Sequence, residues 1–307
     1  MSGEKRTGLV LAREGGRFRV ATDEGEVVAV LRGKARRDAH DRVVVGDRVI
    51  LDEGDESPGI AGIAGVEPRR NQLERRTPRG RGNRPVAANL DRVYVVTAAA
   101  DPPPVPQLLD RLCAIAEANE IPVALVVNKA ELDPAGAEAL GARYRLAGYE
   151  TYLVSAKSGE GLDRLFQELR GKESLLTGAS GVGKTSLLNR LQPGLGLRTR
   201  EVSERIRRGK NTTVAAAIVP IDGGGWLVDT PGFSEVGLWG IEPRELASCF
   251  PELRDALERC KFPDCTHRTE PGCAVTGKVA AGGIARERYE SYLVLLEELR
   301  SAPKDWE

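Results

Sequence analysis

Eight residues near the middle of this 307-residue chain, Gly178-Ala179-Ser180-Gly181-Val182-Gly183-Lys184-Thr185, match the pattern G-x-x-x-x-G-K-[ST]. Glycines at these places let backbone N–H groups wrap a row of phosphates, and the positive end of a following helix adds to their pull. Lys184 is placed to reach the outer phosphates, the Thr185 hydroxyl to hold Mg2+, and Ser186 to follow on the helix. The pattern carries weight only between a strand and a helix. Ser174-Leu175-Leu176-Thr177 reads as that strand and Thr185 to Leu191 as that helix. A second phosphate-side element is Asp229-Thr230-Pro231-Gly232, directly after an apolar run from Trp226 to Val228. There Asp229 suits a carboxylate partner of Mg2+, and the Gly232 N–H suits a γ-phosphate.

Two more short motifs follow apolar runs. Asn128-Lys129-Ala130-Glu131, after Val123 to Val127, resembles the NKxD motif of guanine recognition. Its carboxylate accepts from the ring N–H and the exocyclic amine of guanine. Adenine offers no such pair of donors and would leave the carboxylate unpaired. Glu131 stands where Asp is usual, so the bidentate bond needs a loop that backs away by one methylene. Ser155-Ala156-Lys157 resembles the SAK loop, in which the Ala N–H meets the guanine carbonyl. An ordinary GTPase runs P-loop, DxxG, NKxD, SAK. Here the order is Asn128, Ser155, Gly178, Asp229, the same site on a circularly permuted chain. Termini that lie close together on a domain surface make such a permutation tolerable.

Cys260, Cys265, His267 and Cys273 give C-x4-C-x-H-x5-C. Three thiolates and an imidazole suit one closed, tetrahedral, structural Zn2+ site with no position left for water. Cys113 and Cys249 sit among apolar neighbours and read as small core residues.

The elements that must position these groups fall into regions. Residues 1–68 are rich in short β-branched runs: Leu9 to Leu11, Phe18 to Val20, Glu26 to Leu31, Val43 to Val45 and Arg48 to Leu51. Glycines punctuate them, so five strands predict a small barrel, SH3-like or an OB-fold. Residues 69–84 hold seven Arg against one Glu and read as a basic linker, or as an arm for phosphate contacts. Residues 85–240 alternate apolar runs (Asp91 to Thr97, Val123 to Val127, Tyr152 to Val154) with helical spacing such as Gln107 to Asn119. That alternation predicts an α/β domain with a mainly parallel sheet. Residues 241–307 read as helical around the Cys/His cluster. Their last helix, near Ala285 to Leu299, should bury Tyr289, Tyr292, Leu293, Leu296 and Leu299.

Composition excludes other classes. Lys plus Arg and Asp plus Glu are matched at 45 each, so the chain as a whole is no polycation. Hydrophobic residues at 41% suit a globular chain. No apolar run approaches the ~20 residues of a membrane span, and the N-terminal apolar stretch is too short for a signal peptide. A cytoplasmic protein without membrane partners is expected. An odd set of five cysteines argues against a disulfide framework.

The motifs together resemble the ribosome small-subunit-dependent GTPase A family of circularly permuted GTPases. The resemblance runs through LRGKARR, VVVGDRV, PRRNQL, AANLDRV, NKAEL, SAK, GASGVGKTSLLN, DTPGF and CKFPDCTHRTEPGCAV. It implies a multidomain chain: an OB-fold, a permuted P-loop GTPase domain and a helical zinc-binding domain. It also implies a GTPase that binds small-subunit ribosomal RNA, acts late in assembly of that subunit, and is stimulated by it. The family's GRHTTT loop is Gly209-Lys210-Asn211-Thr212-Thr213-Val214 here. Thr212 or Thr213 then serves Mg2+ and the γ-phosphate, while Asn211 replaces the family's His and cannot exchange a proton near neutral pH. The implied partners are GTP or GDP and the small subunit with its rRNA, bound by a monomer. The stretch Arg198 to Lys210, with six basic and two acidic residues, is a second candidate for phosphate contacts. The competing reading is an RNA-binding module that uses guanine nucleotide only as a conformational switch. A P-loop nucleotide kinase would have no use for the NKAE and SAK segments.

Overall fold

The structure is a computed structural model that describes residues 6–14, 16–32, 43–52, 60–76, 83–191, 217–229, 238 and 240–301. The chain divides into two compact units. One comprises residues 1–91, 169–175 and 196–231, the other residues 92–168, 176–195 and 232–307.

In the first unit β1 (Arg6–Glu14), β2 (Arg17–Thr22) and β3 (Gly25–Leu31) form an antiparallel meander. β3 pairs in parallel with β5 (Ile60–Val66), β5 pairs antiparallel with β4 (Arg48–Asp52), and β4 closes onto β1. The resulting order, β1-β2-β3-β5-β4-β1, is the five-stranded barrel of an OB-fold, which decides against the SH3-like alternative. Inward positions fill it: Val10, Phe18, Val20, Ala29, Val49, Leu51 and Ile63 are buried together with Val43. The fifth strand is β5, not Val43 to Val45. That run is buried but makes only one isolated bridge, Val45 to Ala87. β5 reads Ile-Ala-Gly-Ile-Ala-Gly-Val, and its small residues fit where neighbours crowd. A Cβ on Gly62 would stand 2.0 Å from Asp52 Oδ1.

Two strands lie within or against the arginine-rich segment. β6 (Gln72–Arg76) pairs antiparallel with β7 (Asn83–Ala88). At its start, Arg69 forks onto the buried Asp47 carboxylate at 2.7 and 2.9 Å. Arg70 donates to Asp91 and to the Asn89 carbonyl, each at 2.8 Å. Arg69 is therefore engaged inside the fold, and Arg70 pairs at its surface. The unit is completed by an antiparallel pair, β12 (Ala217–Pro220) and β13 (Trp226–Asp229), with β12 beside β1.

In the second unit β8 (Arg92–Ala98), β9 (Val123–Asn128) and β10 (Glu150–Leu153) are parallel, in the order β10-β9-β8-β11. The unit boundary falls inside β11 (Glu173–Gly178). β9 is buried at every position, as a sheet covered on both faces requires. The crossovers carry α1 (Pro106–Ala118), α2 (Pro134–Leu146) and α3 (Leu162–Leu169), and α4 (Lys184–Leu191) follows β11. After a short 3-10 turn, Leu246–Cys249, come α5 (Pro251–Leu257), α6 (Ala274–Ala280) and α7 (Arg286–Ser301). Cys113 and Cys249 are buried, as expected of core residues.

The buried face of α7 is Arg288, Ser291, Tyr292, Leu295 and Leu296, shifted from the face the apolar residues alone predict. Arg288 draws the helix round. Its guanidinium is 1% exposed and meets both Glu252 oxygens at 2.6 and 2.9 Å and Asp110 at 2.5 Å. The rings of Phe250, Tyr144 and Tyr149 surround it at 4.8 to 5.3 Å.

Candidate functional site

The P-loop begins where β11 ends, and α4 opens at Lys184. Gly183 has φ +92°, and a Cβ there would stand 2.3 Å from Asn128 Nδ2. Gly178 is as constrained, since its Cβ would lie 2.0 Å from the Val96 carbonyl of β8. Only glycine meets both demands. The Lys184 ammonium donates to the carbonyls of Gly178 and Ala179 at 2.8 and 2.7 Å, which lays it across the loop.

Asn128, at the carboxyl end of β9 and 1% exposed, joins three sequence-distant segments. Its Nδ2 donates to the Val182 carbonyl of the P-loop at 2.9 Å. Its Oδ1 accepts from the Ala156 N–H at 3.0 Å. Lys129, left-handed at φ +55°, donates through Nζ to the Asp101 carbonyl. Glu131 lies on the 3-10 turn Ala130–Leu132 and is exposed. The Ser155–Lys157 loop holds its own shape: Ser155 Oγ accepts from Ser158 N at 3.0 Å, and Gly159 N donates to the Ser155 carbonyl at 2.8 Å. These are the carboxyl ends of parallel strands, where open α/β sheets bind ligands.

β13 ends on Asp229 as the sequence suggests. The Asp229 side chain and Asn211, Thr212, Thr213, Thr230, Pro231 and Gly232 lie outside the described residues, as does the stretch Arg198 to Lys210.

The cysteine–histidine cluster also forms. The ligand atoms of Cys260, Cys265, His267 and Cys273 all lie within 4.8 Å of one another. His267 Nδ1 is 3.5 Å from Cys260 Sγ and 3.6 Å from Cys273 Sγ, and the two sulfurs are 4.0 Å apart. A tetrahedral Zn2+ with ordinary bond lengths puts S and N about 3.5 Å apart and two sulfurs about 3.8 Å apart. The donor set and spacing therefore fit such an ion. Glu270 shapes the loop between ligands, accepting from the N–H groups of Thr266, Arg268 and Thr269 at 2.8, 2.8 and 3.0 Å. The Thr266 hydroxyl is its strongest partner and helps hold the carboxyl down to about 2. Tyr289 and Tyr292 of α7 donate to the carbonyls of His267 and Thr266 at 2.6 and 3.0 Å.

Residues 66–239 match the family described as RsgA GTPase. The chain belongs to that family. The protein named small ribosomal subunit biogenesis GTPase RsgA from Gemmatimonas aurantiaca is 47% identical over 298 residues, 95% of this chain and 97% of the relative. One of the same name from Moorella thermoacetica is 41% identical over 293 residues, again 95% and 97%. The crystal structure of YjeQ from Thermotoga maritima superposes with a TM-score of 0.80 at 34% identity, covering 97% of this chain and 100% of its own. YloQ, a circularly permuted GTPase, gives 0.75 at 28% identity, with 98% and 97% covered. The order of motifs, base segments before the P-loop, is thus the family's permuted arrangement.

Motif reading missed some of what braces these sites. Arg190, on α4, donates to the carbonyls of Ala156 and Lys157. A side chain whose partners are main-chain carbonyls leaves no signature in residue types. Glu270 was missed as well; the signal that could have found it is its place as an acid between the third and fourth ligands. No helix among the described residues is long and apolar enough to cross a membrane.

Proposed function

We propose that this GTPase acts in biogenesis of the small ribosomal subunit, hydrolysing GTP slowly alone and faster on the subunit. The observation that carries the nucleotide reading is Asn128, which ties the phosphate loop to both segments of the base site. A nucleotide kinase has no need of that tie.

In this reading Gly178 to Gly183 wrap the phosphates with Lys184, Thr185 and Ser186. Asn128, Lys129 and Glu131 with Ser155, Ala156 and Lys157 recognise guanine. Thr185, Asp229 and one of Thr212 and Thr213 serve Mg2+, and Gly232 meets the γ-phosphate, by motif correspondence. Mg2+, when bound, neutralises charge that develops on the phosphates. Many GTPases orient the attacking water with a Gln after the DxxG glycine. Phe233 holds that place here and offers no hydrogen bond. Asn211 accepts or donates to a water but moves no proton. The subunit's contribution is to complete water positioning. One Zn2+ on Cys260, Cys265, His267 and Cys273 stabilises the C-terminal helices.

We assign residues 1–68 to the barrel, 69–84 to a connection, 85–240 to the GTPase domain and 241–307 to the metal-binding domain. The barrel and the basic stretches face rRNA, the protein works as a monomer, and its compartment is the cytoplasm. Aromatic residues are scarce, at 5%, so backbone and shape recognition dominate over base stacking. The test is affinity for purified small subunits with a non-hydrolysable GTP analogue and with GDP. Tighter binding in the GTP state is expected; equal affinity in both states overturns the reading of a nucleotide-controlled assembly factor.

A further inference from the structure

We propose that Arg190 is a positioning residue for guanine recognition, fixing the distance between the base loop and the phosphate loop. The proposal rests on the reading of Ser155 to Lys157 as the loop that meets the guanine carbonyl.

Arg190 lies near the end of α4, whose first residue is Lys184. At about 1.5 Å per residue, it stands about 9 Å along the helix from the phosphate side. Its Nε donates to the Ala156 carbonyl at 3.0 Å and its Nη2 to the Lys157 carbonyl at 2.7 Å. A rigid planar fork on two successive carbonyls fixes both where the loop sits and how its peptides are turned. The opposite side of the loop is held by Asn128, which takes the Ala156 N–H and in turn binds the Val182 carbonyl. These contacts close a ring: P-loop, Asn128, Ala156, Arg190, α4 and back to the P-loop. Both subsites of one ligand are set by this ring.

The loop does not need Arg190 to fold. Ser155 Oγ to Ser158 N, Gly159 N to the Ser155 carbonyl, and Ser155 N to the Glu160 carbonyl already define its turn. Arg190 is also exposed, so its removal opens no cavity. What it supplies is placement. A guanine carbonyl entering the site shares the Ala156 N–H with Asn128 in a three-centre bond. That sharing requires the loop to stay where Arg190 holds it. Lysine donates to one carbonyl at a time and lacks the fork, so it replaces Arg190 only in part.

The probe is 6-thioguanosine diphosphate, which keeps the ring N–H and the amine but exchanges the carbonyl oxygen for a weaker acceptor. Affinities for it and for GDP are measured on the full chain, the Arg190→Ala variant and the Arg190→Lys variant, with thermal midpoints recorded. The parent should prefer GDP. In Arg190→Ala, GDP should weaken about tenfold, the scale of losing a charge-assisted hydrogen bond. The thio analogue should weaken far less, so the preference collapses, with the midpoint unchanged. Arg190→Lys should recover part of the preference. A parent that prefers GDP, with that preference intact in Arg190→Ala, overturns the role of Arg190 and leaves the base loop standing. A parent with no preference overturns the base-loop reading and the proposal with it.

Discussion

Replacing Arg288 by Met should strongly destabilise the second unit. The guanidinium is 1% exposed and its partners Asp110 and Glu252 are 1% and 2% exposed at their side chains. Burial works against the cation, yet the two acids outweigh it and hold the Arg288 pKa above its ordinary value. Deleting the cation leaves two carboxylates without compensation, and Asp110 Oδ2 already lacks a partner. Breaking a buried pair in this way costs about 3–5 kcal/mol. For a unit of this size, about 2–4 °C per kcal/mol translates this into a midpoint lower by roughly 10 °C. The three aromatic rings around the guanidinium add to the loss, since Met offers them no charge. Differential scanning calorimetry of the parent, Arg288→Met, and the triple variant with Asp110→Asn and Glu252→Gln reads the effect. The triple variant should recover much of the loss, because no buried charge then remains. A single variant that melts within about 2 °C of the parent would show that the buried cation is dispensable, as less than about 1 kcal/mol would then be at stake. A triple variant no better than the single would show that the uncompensated carboxylates are not the cause of the loss.

Lys184→Ala should weaken GTP binding by at least about tenfold, the loss of one charged contact to phosphate, with unchanged circular dichroism; unaltered affinity would remove the P-loop assignment. Glu131→Asp should bind GTP as tightly as the parent or more so, whereas Glu131→Ala should lose discrimination against ATP in competition binding. Thiol reactivity tests the metal site. Burial pushes Cys249 up to about 11 and Cys113 well above the ordinary thiol range, so neither should react with a maleimide in the native state. Metal-loaded protein should therefore show no fast thiol, and chelation should release one zinc and expose Cys260, Cys265 and Cys273. Three fast thiols before chelation would count against a closed site.

The candidate site was legible where chemistry restricts residue types within a short span. The P-loop, Asn128 to Glu131, Ser155 to Lys157 and the Cys/His cluster each occupy a few consecutive turns of chain. What was not legible depends on pairing across distance. In β5 the interleaved Ala and Gly residues dilute the strand preference of its two Ile and one Val, and pairing with β3 and β4 completes it as a strand. β6 looks like linker by its arginines and glutamate, yet Leu73 is buried and β7 supplies its ladder. Arg288 breaks the apolar stripe of α7 because its acids stand 36 and 178 residues away. No local pattern carries that information. The tie from Asn128 to Val182 is of the same kind: its motif suggests only a base contact, and the fold adds the tie.

That this chain is a guanine-specific hydrolase working with the small ribosomal subunit is tested most directly by multiple-turnover phosphate release from GTP, with and without purified small subunits, and with ATP in parallel. Slow release from GTP alone, a marked acceleration by subunits, and no comparable release from ATP are expected. Fast release without subunits, no response to them, or equal turnover of ATP would contradict that role.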